Sequence, residues 1–182
     1  YAINASLVLS YVAMRKDDKA GLVTFNEYFD TFVPASKQVG QMQTLLENLY
    51  KQETTFGETD FSALCGHLGK HVNKRSFLVL YTNFSNMTSL NRQLVYLQQL
   101  ARQHRVLVVF FEDADLKEYI AGKSVTTEDY YRHVIAEKFA FEKRLIVSTL
   151  KQHGIYSLLT TPDKLSIDVI NKYLEMKSRQ LL

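Results

Sequence analysis

The sequence has little cysteine and no long apolar run, and each shortage excludes a class of protein. Its one cysteine, Cys65, excludes an internal disulfide framework and is typical of a reducing compartment. No segment reaches the roughly 18 consecutive apolar residues that a membrane-spanning helix needs. The net charge of +3 is too small for the dense basic surface of a nucleic-acid-binding protein. We therefore expect a soluble, cytoplasmic segment that does not bind nucleic acid.

Motifs of nucleotide binding and catalysis are also missing. The glycines are scattered singly, and neither a G-x-G-x-x-G loop, a Walker sequence nor a G-x-S-x-G turn occurs. Cys65, His67 and His71 have the spacing of zinc ligands on a helix, but the segment HLGKH lacks the glutamate of a zinc protease. We interpret this segment as a solvated helix face, and we expect no enzyme of these classes.

What the sequence does contain is an alternation of apolar strands and amphipathic helices. Val106 to Phe111 are all apolar, which indicates a strand covered on both faces, as in a parallel sheet. Residues 22–25 and 27–34 predict two adjacent antiparallel strands, the second ending at Pro34. Helices of a dozen or more residues separate the other strands. The pattern predicts a three-layer, doubly wound α/β fold (Rossmann-like) with a mostly parallel sheet and an antiparallel edge strand.

Length and start of the chain predict its domain organisation. The 182 residues suffice for one substantial core and are few for two, so we expect a single domain over residues 1–182. The chain begins at Tyr1, without an initiator Met and already in a helical pattern. We interpret it as a fragment of a longer protein.

Polar residues follow the predicted parallel strands abruptly. In an open parallel sheet, ligands bind outside the carboxyl ends of the strands. The strand LVLY ends on TNFSN, which has no acid, whereas FFEDAD carries carboxylates that either bind a cation or, as we favour, cap the next helix. A further helix begins after Thr59 or Asp60, either of which can cap it. The candidate residues of this edge are Asp60, Thr82, Ser85, Glu112, Asp113 and Asp115.

A long helix is predicted from Thr127 to His153, ending before Gly154, and it carries aromatic and basic side chains together. Tyrosine and arginine are enriched where proteins bind proteins. The aromatics either form such a surface or, as the pattern favours, are buried in the core of an ordinary helix. They are Tyr130, Tyr131, Phe139 and Phe141, with Arg132, Lys138, Lys143 and Arg144 beside them.

Several segments, in order, resemble the bacterial domain-of-unknown-function 58 family, whose fold is similar to the von Willebrand factor A domain. They are the helix, turn and strand NASLVLSYVAMRKDDKAGLVTF, then ETDFSAL, KRSFLVLYTNF, ARQHRVLVV and INKYLEMKSRQLL. Within the first segment Asp18, Lys19, Gly21 and Leu22 stand in matching places. The resemblance runs from about residue 2 to the end and implies a von Willebrand factor A-like domain.

Such domains bind Mg²⁺ at a metal-ion-dependent adhesion site built from three loops, and the resemblance places parts of two here. Thr59 matches the second loop, and Asn83 stands where the third loop has an aspartate. The resemblance implies that the first loop and the first strand, central between residues 22–25 and 78–81, would lie upstream of Tyr1. Asn83 offers a carbonyl oxygen without the charge that draws a dication from water. We expect a degenerate site that binds Mg²⁺ weakly or not at all.

The resemblance also implies a function. Family members act beside MoxR-type AAA+ ATPases, which implies a non-enzymatic protein-protein interaction module, an adaptor whose partner is such an ATPase. Relatives often carry membrane helices upstream, so a membrane-attached parent protein stays open. The alternative that the residues leave open is a metal-dependent hydrolase using Glu112, Asp113 and Asp115.

Overall fold

The structure, a computed structural model, describes residues 1–26, 29–52, 59–84, 86–112 and 127–182. In chain order its elements are α1 (Ala2–Arg15), β1 (Ala20–Phe25), β2 (Phe29–Ser36), α2 (Gln41–Tyr50), α3 (Phe61–His71), β3 (Phe77–Tyr81), α4 (Met87–Gln103), β4 (Arg105–Phe111), α5 (Thr127–Gln152), β5 (Tyr156–Thr160) and α6 (Leu165–Ser178). The chain forms two compact units. The first consists of Tyr1–Arg75 and Asp163–Leu182, and the second of Ser76–Pro162. A single domain over residues 1–182 stays a prediction.

In the first unit, β1 and β2 pair antiparallel, as predicted, but β2 does not end at Pro34. The register moves from Leu22 opposite Val33 to Ala20 opposite Ser36, so one extra residue of β2 is accommodated in a bulge. Proline cannot donate to a strand ladder, and bulges are among the places where sheets tolerate it. The expectation that Pro34 stops the strand was therefore wrong, because the bulge removes the need for its missing N–H.

The bulge is held by a buried glutamine and a close backbone approach. Gln41 Nε2 donates to the carbonyl oxygens of Ala20 and Pro34, at 2.8 Å and 3.0 Å. A Cβ atom at Gly21 would lie 2.8 Å from the backbone nitrogen of Ala35, closer than side-chain carbons come. Glycine is thus required where β1 passes the bulge, since any side chain would push the two strands apart.

The core of the first unit lies between the strand pair and the helices α1 and α2. Its buried members come from four elements and are packed into one cluster. They are Leu7, Ala20, Val33, Leu45 and Leu49. Helix α1 also packs against α6, and α3 packs against β2. Each helix thereby buries its apolar stripe, which supplies most of its stability.

The second unit is built on a parallel sheet in the order β3-β4-β5. Every residue of β4 from Val106 to Phe110 is buried, so both faces of this strand are covered, as the apolar run predicted. Helix α4 packs against β4, and helix α5 packs against β5. The two helices also contact each other. Helix α5 ends at Gln152, and Gly154, with φ +71°, leads into β5 as predicted.

The architecture is therefore mixed α/β, with one antiparallel pair and one three-stranded parallel sheet. Within the described residues β1 pairs only with β2, and β3 only with β4. A strand between β1 and β3 supplied from outside these residues stays a prediction. None of the helices in the described ranges is long and apolar enough to cross a membrane.

Candidate functional site

Polar residues gather at the carboxyl edge of the parallel sheet, as the strand ends predicted. The backbone N–H of Thr82, just after β3, donates to the carbonyl of Val109 at 3.0 Å. The backbone N–H of Glu112, just after β4, donates to the carbonyl of Thr160 at 3.0 Å. The strand ladders thus continue one residue beyond β3 and β4, which fixes where the next side chains emerge. We call Thr82, Asn83, Phe84 and Glu112 the sheet rim.

The loop after β3 is anchored before Asn83 by the backbone hydrogen bond of Thr82 and after it by Phe84 and Asn86. Phe84 is buried, and Asn86 caps α4 by accepting from the backbone N–H of Ser89 at 2.9 Å. The Ser89 hydroxyl in turn accepts from the backbone N–H of Asn86 at 3.3 Å, which completes a capping box. Because its neighbours are fixed, the exposed side chain of Asn83 is held in a defined place.

The side chain of Lys143, from α5, binds this loop. Its Nζ donates to Asn83 Oδ1 at 2.8 Å and to the carbonyl oxygen of Phe84 at 2.7 Å. The same nitrogen lies 5.6 Å from the ring centroid of Phe110, close enough for a cation–π contact. The ammonium is therefore surrounded by two carbonyl oxygens and an aromatic face. None of these groups carries a negative charge.

Burial lowers the pKa of Lys143 below its ordinary value, because the charged form loses hydration that two neutral oxygens replace only in part. Among the described residues, no carboxylate forms an ion pair with Lys143. The preceding residue, Glu142, forms no ion pair with it either. Lys143 thus remains a cation that lacks an anion in the part of the chain described here.

This arrangement does not fit a divalent cation at Asn83. The one oxygen that Asn83 could offer a metal already accepts from an ammonium group. A dication placed there would meet a positive charge within hydrogen-bonding distance instead of the carboxylates that Mg²⁺ prefers. The described residues also contain no group of three or more His, Cys, Asp or Glu side chains placed to hold a metal.

Thr59 and Asp60 belong to the first unit, whereas Asn83 belongs to the second. Asp60 is the N-cap of α3, as predicted, and its Oδ1 accepts from the backbone N–H groups of Ser62 and Ala63 at 2.7 Å and 3.0 Å. Its own N–H donates to the carbonyl of Asn26, just after β1, at 2.8 Å. Capping accounts for Asp60 without a ligand, while a metal role of Thr59 with Asn83 stays a prediction.

Three candidate residues, Ser85, Asp113 and Asp115, lie outside the described residues. Of the three carboxylates suggested for a metal-dependent hydrolase, the structure therefore describes only Glu112, at the sheet rim. The hydrolase alternative and the capping role of Asp113 and Asp115 stay predictions.

The zinc-like spacing in α3 does not bring three ligands together. Cys65 is buried in the core, and burial raises the pKa of its thiol to about 11, so it is a poor ligand or nucleophile near neutral pH. The rings of His67 and His71 lie 4.3 Å apart and pack beside Phe32. The two histidines thus pack beside the strand, and the interpretation of this segment as a solvated helix face without a metal stays a prediction.

The predicted aromatic residues of α5 are on the surface, not in the core. Tyr130, Tyr131, Phe139 and Phe141 are each 49% to 66% exposed, so the expectation of buried aromatics was wrong. Three aliphatic side chains of the same helix are also exposed. At roughly 100° per residue, the aromatic and aliphatic positions together cover about half of the helix circumference. We call this set the apolar face of α5: Tyr130, Tyr131, Val134, Ile135, Phe139, Phe141 and Leu145.

Sequence reasoning missed the role of Lys143. It placed this lysine among the basic residues beside the aromatics, 60 positions along the chain from Asn83. The sequence places an amide directly after a buried strand, but water satisfies the oxygen of an exposed amide, so this pattern alone does not call for a lysine. Which donor reaches it depends on how α5 packs against the sheet, and periodicity does not give that.

The sequence model of the family described as "Protein of unknown function DUF58" matches residues 1–126. Helix α5, with Lys143, therefore lies beyond the matched segment together with β5 and α6. No curated protein and no solved structure matches the chain. Because the match covers more than half of the sequence, and the segments from Asp18 to the loop after β3 fall within it, the chain belongs to the family Protein of unknown function DUF58.

Proposed function

We propose that this chain is a non-enzymatic protein-binding module of von Willebrand factor A-like architecture, an adaptor for a MoxR-type AAA+ ATPase. The identity of the partner rests on the family resemblance of the sequence. The observation that carries a binding function is the apolar face of α5, which presents four aromatic and three aliphatic side chains to solvent.

An exposed face of this size needs an explanation. Apolar side chains scattered singly over a surface are ordinary, but contiguous patches mark sites of association. The aromatic members supply large contact area with few rotatable bonds, and Lys138 and Arg144 add charge within the same stretch of helix. This composition is typical of a protein interface.

The proposed architecture is supported by the parallel sheet with polar groups at its carboxyl edge and by the antiparallel strand pair. A von Willebrand factor A-like domain requires in addition that the two sheets form one three-layer structure. That arrangement is part of the proposal.

Binding to a MoxR-type ATPase from the same organism tests the function. We expect the wild-type chain to bind, and Phe141→Ser to weaken binding by about tenfold, because one exposed aromatic anchor contributes on this scale. Calorimetry or biolayer interferometry with the purified proteins would measure the affinity. Val95→Ser is the matched control, since Val95 is equally exposed but lies on α4.

Two outcomes would contradict the proposal. One is an absence of binding to the ATPase in each of its nucleotide states. The other is an equal loss of affinity in Phe141→Ser and Val95→Ser, which would mean that α5 has no special part. Circular dichroism of each variant would show that the fold is retained.

A further inference from the structure

The ammonium group of Lys143 has more hydrogen-bonding capacity than the structure uses. An ammonium has three N–H donors and no acceptor. Two of them are directed to Asn83 Oδ1 and the Phe84 carbonyl, and the ring of Phe110 lies on another side. One donor remains, and the described residues supply no anion for it.

The amide of Asn83 is oriented by the same contact. Because an ammonium can only donate, the oxygen of this amide must face Lys143, and the Nδ2 donors must face away from it. In the described residues Nδ2 has no hydrogen-bond partner, and the side chain is exposed. The loop therefore presents an ammonium donor beside two amide donors, and no carboxylate of the described residues forms an ion pair with that ammonium.

An amide at this position has a chemical reason. An aspartate at residue 83 would hold the ammonium equally well, but it would neutralise its charge and repel any second anion. Asparagine holds Lys143 in place without supplying a negative charge to it. The pair is thus suited to an anion from outside the two residues.

We propose that Lys143 and Asn83 form a binding site for a carboxylate side chain of a protein partner, with the tethered ammonium in the place of a metal ion. The proposal rests on the proposed function, because it names the chemistry that the partner presents to this site. A single ammonium with neighbouring amide donors matches a singly charged carboxylate. Phosphate groups are typically held by several convergent donors or a bidentate arginine, which the described rim does not provide.

The experiment uses a glutamate-rich peptide as the probe and a glutamine-rich peptide of equal length as its neutral counterpart. We expect the glutamate-rich peptide to bind the wild-type chain and the glutamine-rich peptide not to bind. Lys143→Met should weaken binding by about fivefold, the scale of a partly exposed ion pair. Lys138→Met is the matched control, because it removes the same charge from an exposed position of the same helix.

A second measurement separates binding from a merely structural role of Lys143. The NMR signals of the Lys143 side-chain Cε and Nζ report its own environment, and Lys143→Met assigns them. On addition of the glutamate-rich peptide these signals should shift, and the pKa of Lys143 should rise towards its ordinary value because an anion stabilises the charged form.

The proposal is overturned if the glutamate-rich peptide does not bind, if both peptides bind equally, or if Lys138→Met loses as much affinity as Lys143→Met. It is also overturned if binding leaves the signals of Lys143 unchanged. Failure of the proposed function looks different: the ATPase would not bind, while the peptide would still shift Lys143. If instead Phe141→Ser weakens ATPase binding but the peptide leaves Lys143 unaffected, only the carboxylate site is rejected.

Discussion

Two lysines of this chain, one in each unit, show how differently the same group can be used. Lys177, on α6, lies 2.6 Å from a carboxylate oxygen of Asp18, and this hydrogen bond raises its pKa. Among the described residues, Lys143 on α5 contacts two neutral oxygens and an aromatic ring, and burial lowers its pKa. The first lysine has its anion within the fold, whereas the described residues supply none to the second. A complete pair stabilises the structure, whereas the contacts of Lys143 suit the proposed binding of a carboxylate.

The complete pair joins two distant parts of the first unit. Asp18 accepts from both Lys177 and the hydroxyl of the buried Tyr173, and Lys177 also donates to the carbonyl of Lys16 at 2.9 Å. The turn between α1 and β1 is thereby fastened to α6. Asp18 is among the residues that carry the family resemblance, and this contact gives it a structural role.

Of the substitutions that compare the two lysines, removal of the Asp18 carboxylate should change the free energy of unfolding most. Asp18→Ala removes the carboxylate that accepts from both the Tyr173 hydroxyl and the Lys177 ammonium, and Tyr173 is only 3% exposed. We expect the free energy of unfolding to fall by about 2 kcal/mol, as for other partly buried charged hydrogen bonds. Urea titration would measure it.

Asp17→Asn is the control for that variant. Asp17 also forms an ion pair, with Lys37 at 2.7 Å, but its side chain is 86% exposed. Solvent screens such a pair, so its loss should cost clearly less than the loss of Asp18. Equal effects of the two substitutions would refute a special role of the Asp18 cluster.

Replacing each lysine by methionine compares the two sites directly. Lys177→Met should destabilise the chain by about 1–2 kcal/mol, because it leaves the carboxylate of Asp18 without its cation. Lys143→Met should change the free energy of unfolding by less than about 1 kcal/mol, because losing two hydrogen bonds is offset by no longer burying a charge. If Lys143→Met proves the more destabilising of the two, Lys143 is a structural residue and the contrast fails.

The sequence predicted the helices and strands of each unit better than it predicted contacts between residues that are distant in sequence within a unit. The apolar run of β4 and the cap at Asp60 follow from local patterns, and the structure has both. The course of β2 past Pro34 was not predicted, because it depends on a bulge held by Gln41 from the following helix. Local rules report what a residue tolerates, and a neighbour distant in sequence decides what it does.

At the candidate site, too, the local pattern was predicted and the long-range contact was not. The end of β3 on an uncharged amide was visible in the sequence, and it led to the expectation of weak metal binding. The group that Asn83 holds, Lys143, is brought to it by the packing of α5 in the second unit. Long-range contacts of single side chains have no periodicity, so no pattern in one sequence indicates them.

The dependence of the free energy of unfolding on alkaline pH should also distinguish Lys177 from Lys143. The raised pKa values of Lys177 and Tyr173 mean that their contribution is fully present below their ordinary values of 10.5 and 10.0 and is lost as pH rises through the folded-state values. Lys143, with its lowered pKa, contributes in the opposite direction, because folding favours its neutral form. We expect the free energy of unfolding to fall above about pH 10 in the wild type.

Variants identify the source of this alkaline loss. In Asp18→Ala it should be reduced, since Lys177 loses the carboxylate that raises its pKa, while Tyr173 keeps the burial that mainly raises its pKa and loses only the smaller contribution of Asp18. In Lys143→Met it should be retained or steeper, because the opposing contribution is gone. Urea titrations across this pH range would give the slopes, and an unchanged slope in Asp18→Ala would contradict the assignment.

The substitution with the smallest expected effect on stability is Asn83→Asp. It gives Lys143 a carboxylate partner like the one that Asp18 provides for Lys177. Asn83→Asp places a carboxylate where Lys143 already donates, so the ammonium gains an anion that the described residues do not otherwise supply. We expect the pKa of Lys143 to rise from below its ordinary value to above it, and the free energy of unfolding to rise by about 0.5 kcal/mol near neutral pH. NMR titration of the lysine side-chain signals would measure the pKa.

The same substitution should abolish binding of the glutamate-rich peptide, although the lysine remains. A variant that is more stable but no longer binds would show that the amide at position 83 keeps the site incomplete. If the pKa of Lys143 stays low in Asn83→Asp, the two side chains are not in contact in solution, and the contrast between the two lysines has another cause.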